Sequence, residues 1–430
     1  MINHTVKAAE EAASGSVDLA TLELNLRDAS LKFARQVLGG LMSGPLQEAA
    51  GIYMPAGRRG ERTTTIFTSV GRVNYRRHYI PQADGKSCFP ADEAFGLVEK
   101  CTPMGAKLLC HEAARSQSYQ QAAENISLVS GLDISASTIQ RLVRVIGPDS
   151  EQWAIKRVPQ KSANYFDIIA VIEMDMTGVR MLKKYLKDIK GKNGEPTCRQ
   201  IKCGTCFLMQ KDKKGVYQKL SGSIVHVLSF SDPTSFSAAL KDALKKLGIP
   251  WDTPTLVVAD GAEWIWNIVK DRFGNAVQIV DFWHAAENLN NLCQCAFGEG
   301  EEGAKAFKIW RNKLKRYGVN CVIKGFEKIA TDKKNKKEII ERLEYFKNHK
   351  QRMQYCIFKK NGYPIGSGVI EGACKSLIKQ RTSLSGQRWS PDGALDILWI
   401  RALIVDGLYD QYWKENRNRK RKARQLQIVA

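Results

Sequence analysis

Five apolar runs of strand length, at residues 166–176, 199–209, 224–230, 255–260 and 276–282, constrain this chain more than any other feature. A polar stretch, 184–195, joins the first two as a long hairpin loop. An amphipathic helical stretch at 235–247, closed by Gly248 and Pro250, follows the third run, and another from about Glu263 to Phe273 follows the fourth. The order βββαβαβ allows three meandering strands and then parallel crossovers. It predicts a mixed sheet with helices on its faces, in the α/β class.

That order is the order of the ribonuclease H-like fold, so a core is expected over 165–285. Residues 286–358 are helical and strongly charged, as in KIWRNKLKRYG, and predict an all-helical insertion. The small-residue segment YPIGSGVIEGACKSLIKQR and a long apolar helix, GALDILWIRALIVDGLYDQYW, are expected to complete the core over 359–412. The N-terminal region reads as mostly helical. Residues 1–55 hold a helix over 16–41 with Ser16 as its cap signal, and 56–100 hold a hairpin turning at Val70-Gly71-Arg72. Over 101–150 the pattern is helix, turn at Gly131, helix, with Ser135 or Ser137 capping the second helix. Thr138, Gln140, Arg141 and Arg144 on that helix fit a DNA-reading helix-turn-helix, and a plain helical hairpin is the alternative. The end, 413–430, is a basic tail in which Arg419, Lys420 and Arg421 would contact phosphates.

Charge narrows the partners. Sixty-six Lys and Arg against 44 Asp and Glu leave a formal +22, which favours a polyanion, with duplex DNA ahead of an acidic membrane. No apolar run reaches the length of a membrane span, and the opening residues lack a basic stretch followed by an apolar core. A cytoplasmic, nucleoid-associated protein with reduced thiols is expected from its 11 cysteines. Zinc is not expected. Cys203 and Cys206 form the lone CxxC in what reads as a strand, where residues three apart point to opposite faces. Cys293 and Cys295 lie about 200° apart on a helix.

The chemistry-bearing residues are acids. Asp175 lies near the end of an apolar strand, before Thr177-Gly178, where a substrate can approach the backbone. Glu173 is its rival on the same strand face. Asp260, followed by Gly261, ends another apolar strand, where α/β sheets place their chemistry. Two facing carboxylates about 5 Å apart repel by roughly 3 kcal/mol at an effective dielectric near 20, so they need protons or a cation. Hard oxygen donors suit two Mg²⁺ ions, or Mn²⁺, with Glu371 as the third acid. The turn Gly366-Ser367-Gly368 would deliver Glu371, and Lys375, Lys379 and Arg381 would face a negative substrate.

The segments MDMTGVRM, VVADGAEWIW, IVDFWHAAENL and YPIGSGVIEGACKSLIKQR, the last continuing to Gly386, Arg388 and Trp389, resemble the DDE transposases of bacterial insertion sequences, specifically the ISKra-type family. The likeness runs from about 165 to 410. It implies Asp175, Asp260 and Glu371 as the catalytic, metal-holding acids, with Arg388 toward DNA. It implies that the chain binds the ends of a mobile element, cleaves phosphodiester bonds and transfers the 3′ ends to target DNA, as a homo-oligomer when two ends are paired. His284, with Asp281 and Glu287, is either a structural histidine at a strand–helix junction or a group beside the DNA end. Family members commonly carry a zinc ribbon near the hairpin, but between 57 and 92 this chain keeps only Cys88. The alternatives are a domesticated DNA-binding protein without catalysis and a ribonuclease H-like nuclease.

Overall fold

The computed structural model describes residues 18–52, 60–82, 87–158, 167–189, 196–250 and 252–416, with Lys7, Gly15 and Gly85. Ser16, the end of the 184–195 loop and the tail residues Arg419, Lys420 and Arg421 lie outside the described residues. The chain divides into two compact units. One comprises Met1–Trp153 with Asp392–Ala430, the other Ala154–Pro391.

In the first unit, α1 (Leu19–Ser43) starts at Asp18, whose carboxylate accepts the Thr21 N–H at 2.7 Å. It packs on a hairpin of β1 (Gly60–Thr68) and β2 (Gly71–Pro81), extended by β3 (Ser87–Cys88). Inward-facing Val73 and Tyr75 alternate with exposed Arg72, Asn74 and Arg76 along β2, and join Met42 and Ile66 in a small core. Three helices follow: α2 (Pro103–Arg115), α3 (Tyr119–Ser130) and α4 (Ala136–Lys156). Gly131 closes α3 in the left-handed conformation at φ 61°. The Ser135 hydroxyl accepts the Thr138 N–H at 3.3 Å at the head of α4, so the cap falls on Ser135.

The C-terminal helix Pro391–Val405 belongs with this unit, whereas the sequence reading joined it to the sheet. Its apolar residues surround it on all sides, so periodicity gives it no preferred face. Its partners decide its place. Gly147 of α4 lies so close that a Cβ there would stand 2.5 Å from the Asp396 Cα, and Arg401 donates to the Ala114 carbonyl at 2.6 Å. Buried Asp396 has its pKa pushed up to about 7 by burial, with Asp392 and Glu151 adding to the rise and Arg144 opposing it. The folded state therefore holds a proton that the unfolded chain releases above about 3.8. This contribution to stability is full below that value and declines as pH rises toward about 7, by at most about 1.4 kcal/mol per pH unit. Asp396→Asn is expected to gain on the wild type in chemical denaturation as pH rises from 4 to 7. Parallel curves would contradict the assignment.

The second unit holds a six-stranded mixed sheet. β4 (Ile168–Arg180) pairs antiparallel with β5 (Cys198–Lys211) and parallel with β8 (Thr255–Ala259), which pairs parallel with β9 (Val277–Val280). β6 (Tyr217–Lys219) and β7 (Val225–Ser229) both pair with β5, at different points along it. The expected strand positions hold, and β6 is an addition. Helix α5 (Pro233–Lys246) lies on β5 where Gly204 leaves room, since a Cβ there would meet Leu240 at 2.5 Å. Helix α6 (Glu263–Arg272) follows β8. Trp264, against Phe236, and buried Trp266 both pack into the core. The helical insertion is α7 (Phe282–Phe297), α8 (Glu301–Tyr317), α9 (Val319–Thr331) and α10 (Lys336–Asn348). Leu314, Phe326, Leu343 and Phe346 merge it with the core of the sheet, so it is not a separate body. A last helical run, 368–382, is α-helical to Gly372, π-helical over Ala373–Lys379, and α-helical again over Gln380–Thr382.

Candidate active site

Strand register gathers the acids. Met174 pairs with Ala259 where the parallel β4–β8 ladder ends, so the next residues, Asp175 within β4 and Asp260 just past β8, lie side by side. The Asp281 N–H donates to the Ala259 carbonyl at 2.7 Å, which brings the end of β9 to the same place. Asp260 and Asp281 thus follow the carboxyl ends of adjacent parallel strands, and Asp175 lies beside Asp260 within the longer β4. Burial raises the pKa of Asp260, the Asp175 and Asp281 charges add to the rise, and the Ala262 N–H and His284 oppose it.

Glu371 comes from the other side. It sits in the first turn of the 368–382 run. The Ile370 N–H donates to Glu173 Oε2 at 2.7 Å, and this bond fastens the run to β4. Glu173 is 2% exposed, and burial first, then the Asp281 and Glu371 charges, push its pKa up to about 8. Its burial favours the protonated form, and its bond to Ile370 makes it a strut beside Asp175. The Cys374 thiol, on the π-helical segment, is in hydrogen-bond contact with the free thiol of Cys203 on β5 and with Asp175, which makes a second fastening. A π-helical stretch directly after Glu371 is a costly conformation, of the kind found at functional sites.

Asp281, His284 and Glu371 each offer a ligand atom, all within 4.8 Å of one another. They are not equivalent. Asp281 is fully buried and accepts four hydrogen bonds: from the N–H groups of Trp283 and His284 on Oδ1, and from the N–H and hydroxyl of Ser367 on Oδ2. Those four donors use the four lone-pair positions of a carboxylate. Asp281 therefore caps α7 and holds the Gly366-Ser367 turn. Asp260 accepts one hydrogen bond, at 2.9 Å from Ala262, and Glu371 pairs with exposed Lys375 at 3.6 Å. Asp260 and Glu371 are less committed, while Asp175 accepts the Met176 N–H at 2.6 Å; these carboxylate oxygens and the His284 imidazole are donor types that fit a divalent cation.

The remaining expected residues separate. Thr177 is buried and Gly178 half-buried beyond Asp175 on β4, and Gly368 opens the Glu371 helix. Glu287, Lys375, Lys379 and Arg388 are exposed. Trp389 bridges to the end of β4, its N–H donating to the Arg180 carbonyl at 3.0 Å, which fixes the segment that carries Arg388. Arg381 needs correcting: it is 1% exposed and its guanidinium lies 4.9 Å from the Trp389 ring centroid, so it packs the core and does not face a substrate. In the first unit Thr138 also needs correcting. It is buried on the inner face of α4 with its hydroxyl 2.9 Å from that of Ser135, while Arg141 and Arg144 stand exposed and Gln140 is half-buried.

Sequence reasoning missed Tyr345. It comes from α10 of the insertion and covers the Asp260-Gly261 turn. A Cβ on Gly261 would lie 2.5 Å from its ring and 2.8 Å from its hydroxyl. That hydroxyl is buried without a hydrogen-bond partner among the described residues. Its pKa is raised by burial and by Asp260, Asp281 and Glu287. Tyr345 and His349 lie four residues apart on one helical face, but nothing in the sequence ties that face to residue 261. Gly261→Ala is expected to lose about 1–3 kcal/mol of stability by overpacking. Tyr345→Ala should relieve most of that loss in the double variant, measured by thermal unfolding of all three proteins. Additive losses would contradict the contact.

No family model matches the sequence, and no curated protein matches it. A solved structure of the Drosophila P element transposase strand transfer complex is similar with a TM-score of 0.26 and 10% identity, over 72% of this chain and 80% of that one. A likeness of that depth decides neither fold nor function. No helix among the described residues is long and apolar enough to cross a membrane.

Proposed function

We propose that this chain is a metal-dependent DNA transposase with a ribonuclease H-like core, related to the ISKra-type insertion-sequence enzymes. The observation that supports the reading is the gathering of acids at one end of a mixed sheet: Asp260 feels Asp175, Asp281 and His284, and Glu371 reaches His284 and Asp281 from far along the sequence. The strand sequence β7-β5-β4-β8-β9, with β5 antiparallel and β8 and β9 parallel to β4, supports the ribonuclease H-like assignment.

Asp175, Asp260 and Glu371 would hold two Mg²⁺ or Mn²⁺ ions, which when bound supply activation of an attacking oxygen and charge neutralisation at the leaving oxygen of a phosphodiester. The chain's own groups do the rest. Asp281 and Glu173 hold the Glu371 helix at the sheet. His284 stands beside Asp260 and Glu371, where it can donate to a phosphate oxygen. Lys375 draws the DNA backbone toward Glu371 and shields part of the acid charge. The proposed reaction is cleavage at the ends of a mobile element and transfer of the freed 3′ ends to target duplex, with exposed Lys379 and Arg388 gripping backbone and α4 reading the element's ends through Gln140, Arg141 and Arg144. No protein nucleophile takes part, so no covalent protein–DNA adduct forms. Two copies pair two DNA ends.

The test is excision in cells. A marker flanked by the DNA bordering this gene should be lost with wild-type protein and retained with Glu371→Gln. Equal retention with both proteins, while both still bind that DNA, would leave a binding protein without catalysis.

A further inference from the structure

The first unit carries a groove of about 570 Å³ between the C-terminal half of α1 and β2. Its lining contains four cations, Lys32, Arg35, Arg72 and Arg76, and no acid. Arg72 is engaged by Asp133, through the backbone carbonyl at 2.8 Å and the carboxylate at 3.0 Å. Lys32, Arg35 and Arg76 are in no ion pair among the described residues. Such a cluster repels itself and favours an anion in the groove.

The floor is built, not incidental. At Gly39 the helix touches the strand, since a Cβ there would lie 2.6 Å from the Asn74 carbonyl oxygen. Gly40 and Gly44 leave the surface bare, with nothing within 4 Å of an added Cβ. The Ser43 hydroxyl accepts the Arg76 N–H at 3.0 Å and donates to the Gly39 carbonyl at 2.6 Å, which locks helix to strand. Arg72 and Arg76, four residues apart on one strand, span about 13 Å, against one phosphate per about 3.4 Å of axis on each strand of a duplex. The groove therefore faces several phosphates at once.

We propose that the α1–β2 groove is a docking site for the phosphate backbone of duplex DNA, a second contact beside the helix pair α3–α4. This rests on the reading of the chain as a DNA-acting protein. The Arg72–Asp133 bonds tie the groove to the loop between α3 and α4, and Arg27 of α1 donates to the Leu128 carbonyl of α3 at 2.5 Å. Backbone contact in the groove thus sets the register in which α4 meets base edges, since phosphate contacts position a protein and base contacts specify the site. A lipid surface fits less well. Phe33, Val37 and Leu41, the exposed apolar residues of α1 level with the groove, lie about 140° around the helix from it, so a membrane that engaged them would not meet the cations.

The test measures binding of the full chain to a fluorescent 30-base-pair duplex across a salt series, by anisotropy. Lys32→Gln/Arg35→Gln/Arg76→Gln is expected to lower the slope of log K against log salt by about 2 to 3, at roughly 0.9 for each phosphate no longer neutralised. Lys32→Arg/Arg35→Lys/Arg76→Lys should keep the wild-type slope. Gly40→Glu, whose side chain enters open space at the groove, should weaken binding several-fold without altering the unfolding midpoint. Wild-type binding with an unchanged slope in the glutamine variant, or full binding by Gly40→Glu, overturns the groove alone. So does a variant that loses binding to phosphatidylserine vesicles but keeps the duplex. A wild type that binds no duplex at any salt overturns the DNA reading itself, and the groove with it.

Discussion

Asp260→Asn is expected to lower metal-dependent DNA cutting by roughly a thousandfold or more while leaving duplex binding intact. The expectation follows from how little else this acid does. It accepts one backbone hydrogen bond, which an asparagine oxygen can also accept, so the turn and the fold should survive. Its charge is held at a cost: burial and the Asp175 and Asp281 charges all disfavour it. A protein that maintains such a group without a cation to offset it is destabilised. In the absence of divalent metal, Asp260→Asn should therefore be as stable as the wild type or more so, and added Mg²⁺ or Mn²⁺ should raise the wild-type melting temperature more than that of the variant. Loss of cutting together with loss of folding would remove the support for a metal-holding role.

Asp281→Ala is expected to do the reverse, lowering stability by about 3–5 kcal/mol, or roughly 10 °C in the melting temperature of a unit this size. Four donors lose their partner at a fully buried position, three of them backbone N–H groups and one a hydroxyl. Each orphaned buried donor costs about 1–3 kcal/mol, and the helix also loses its N-cap. Relief of repulsion on Asp260 and Glu173 offsets part of the loss. Asp281→Asn should recover the two bonds on Oδ1 but not the Ser367 N–H, and so fall between. If Asp281 instead served mainly as a metal ligand, its removal would raise stability in metal-free buffer, as for Asp260. The two acids, 21 positions apart and joined through Ala259, should thus give opposite signs in the same melting experiment.

Those opposite roles mark what the sequence could and could not convey. Apolar runs separated by turn residues gave the strands of the sheet closely, because a parallel strand buried on both faces has few other ways to be written. Acids such as Asp175 and Asp260 stand out in those runs for the same reason. What an acid does there was not legible. Asp281, Asp260 and Glu173 look alike as letters, and they differ only in donors brought from residues 262, 283, 367 and 370. Arg381 sits in a basic run with Lys375 and Lys379, and helical phase alone turns it inward onto Trp389. The C-terminal helix carries apolar residues on every side, so periodicity could not assign it to a unit. Tyr345 reaches the Asp260 turn from the insertion, 84 positions from Gly261, a proximity that only the folded core creates.

The most direct measurement of the central claim is end-mapping of DNA cut by the purified protein. A duplex carrying the sequences that border this gene would be incubated with the chain and Mg²⁺, and the products resolved by strand. The account predicts breaks at fixed positions with free 3′-hydroxyl ends, abolished by chelator and by Glu371→Gln, with the duplex still bound in both cases. A wild type that binds this DNA but leaves it whole in Mg²⁺ and Mn²⁺ would contradict it, as would breaks that persist in Glu371→Gln.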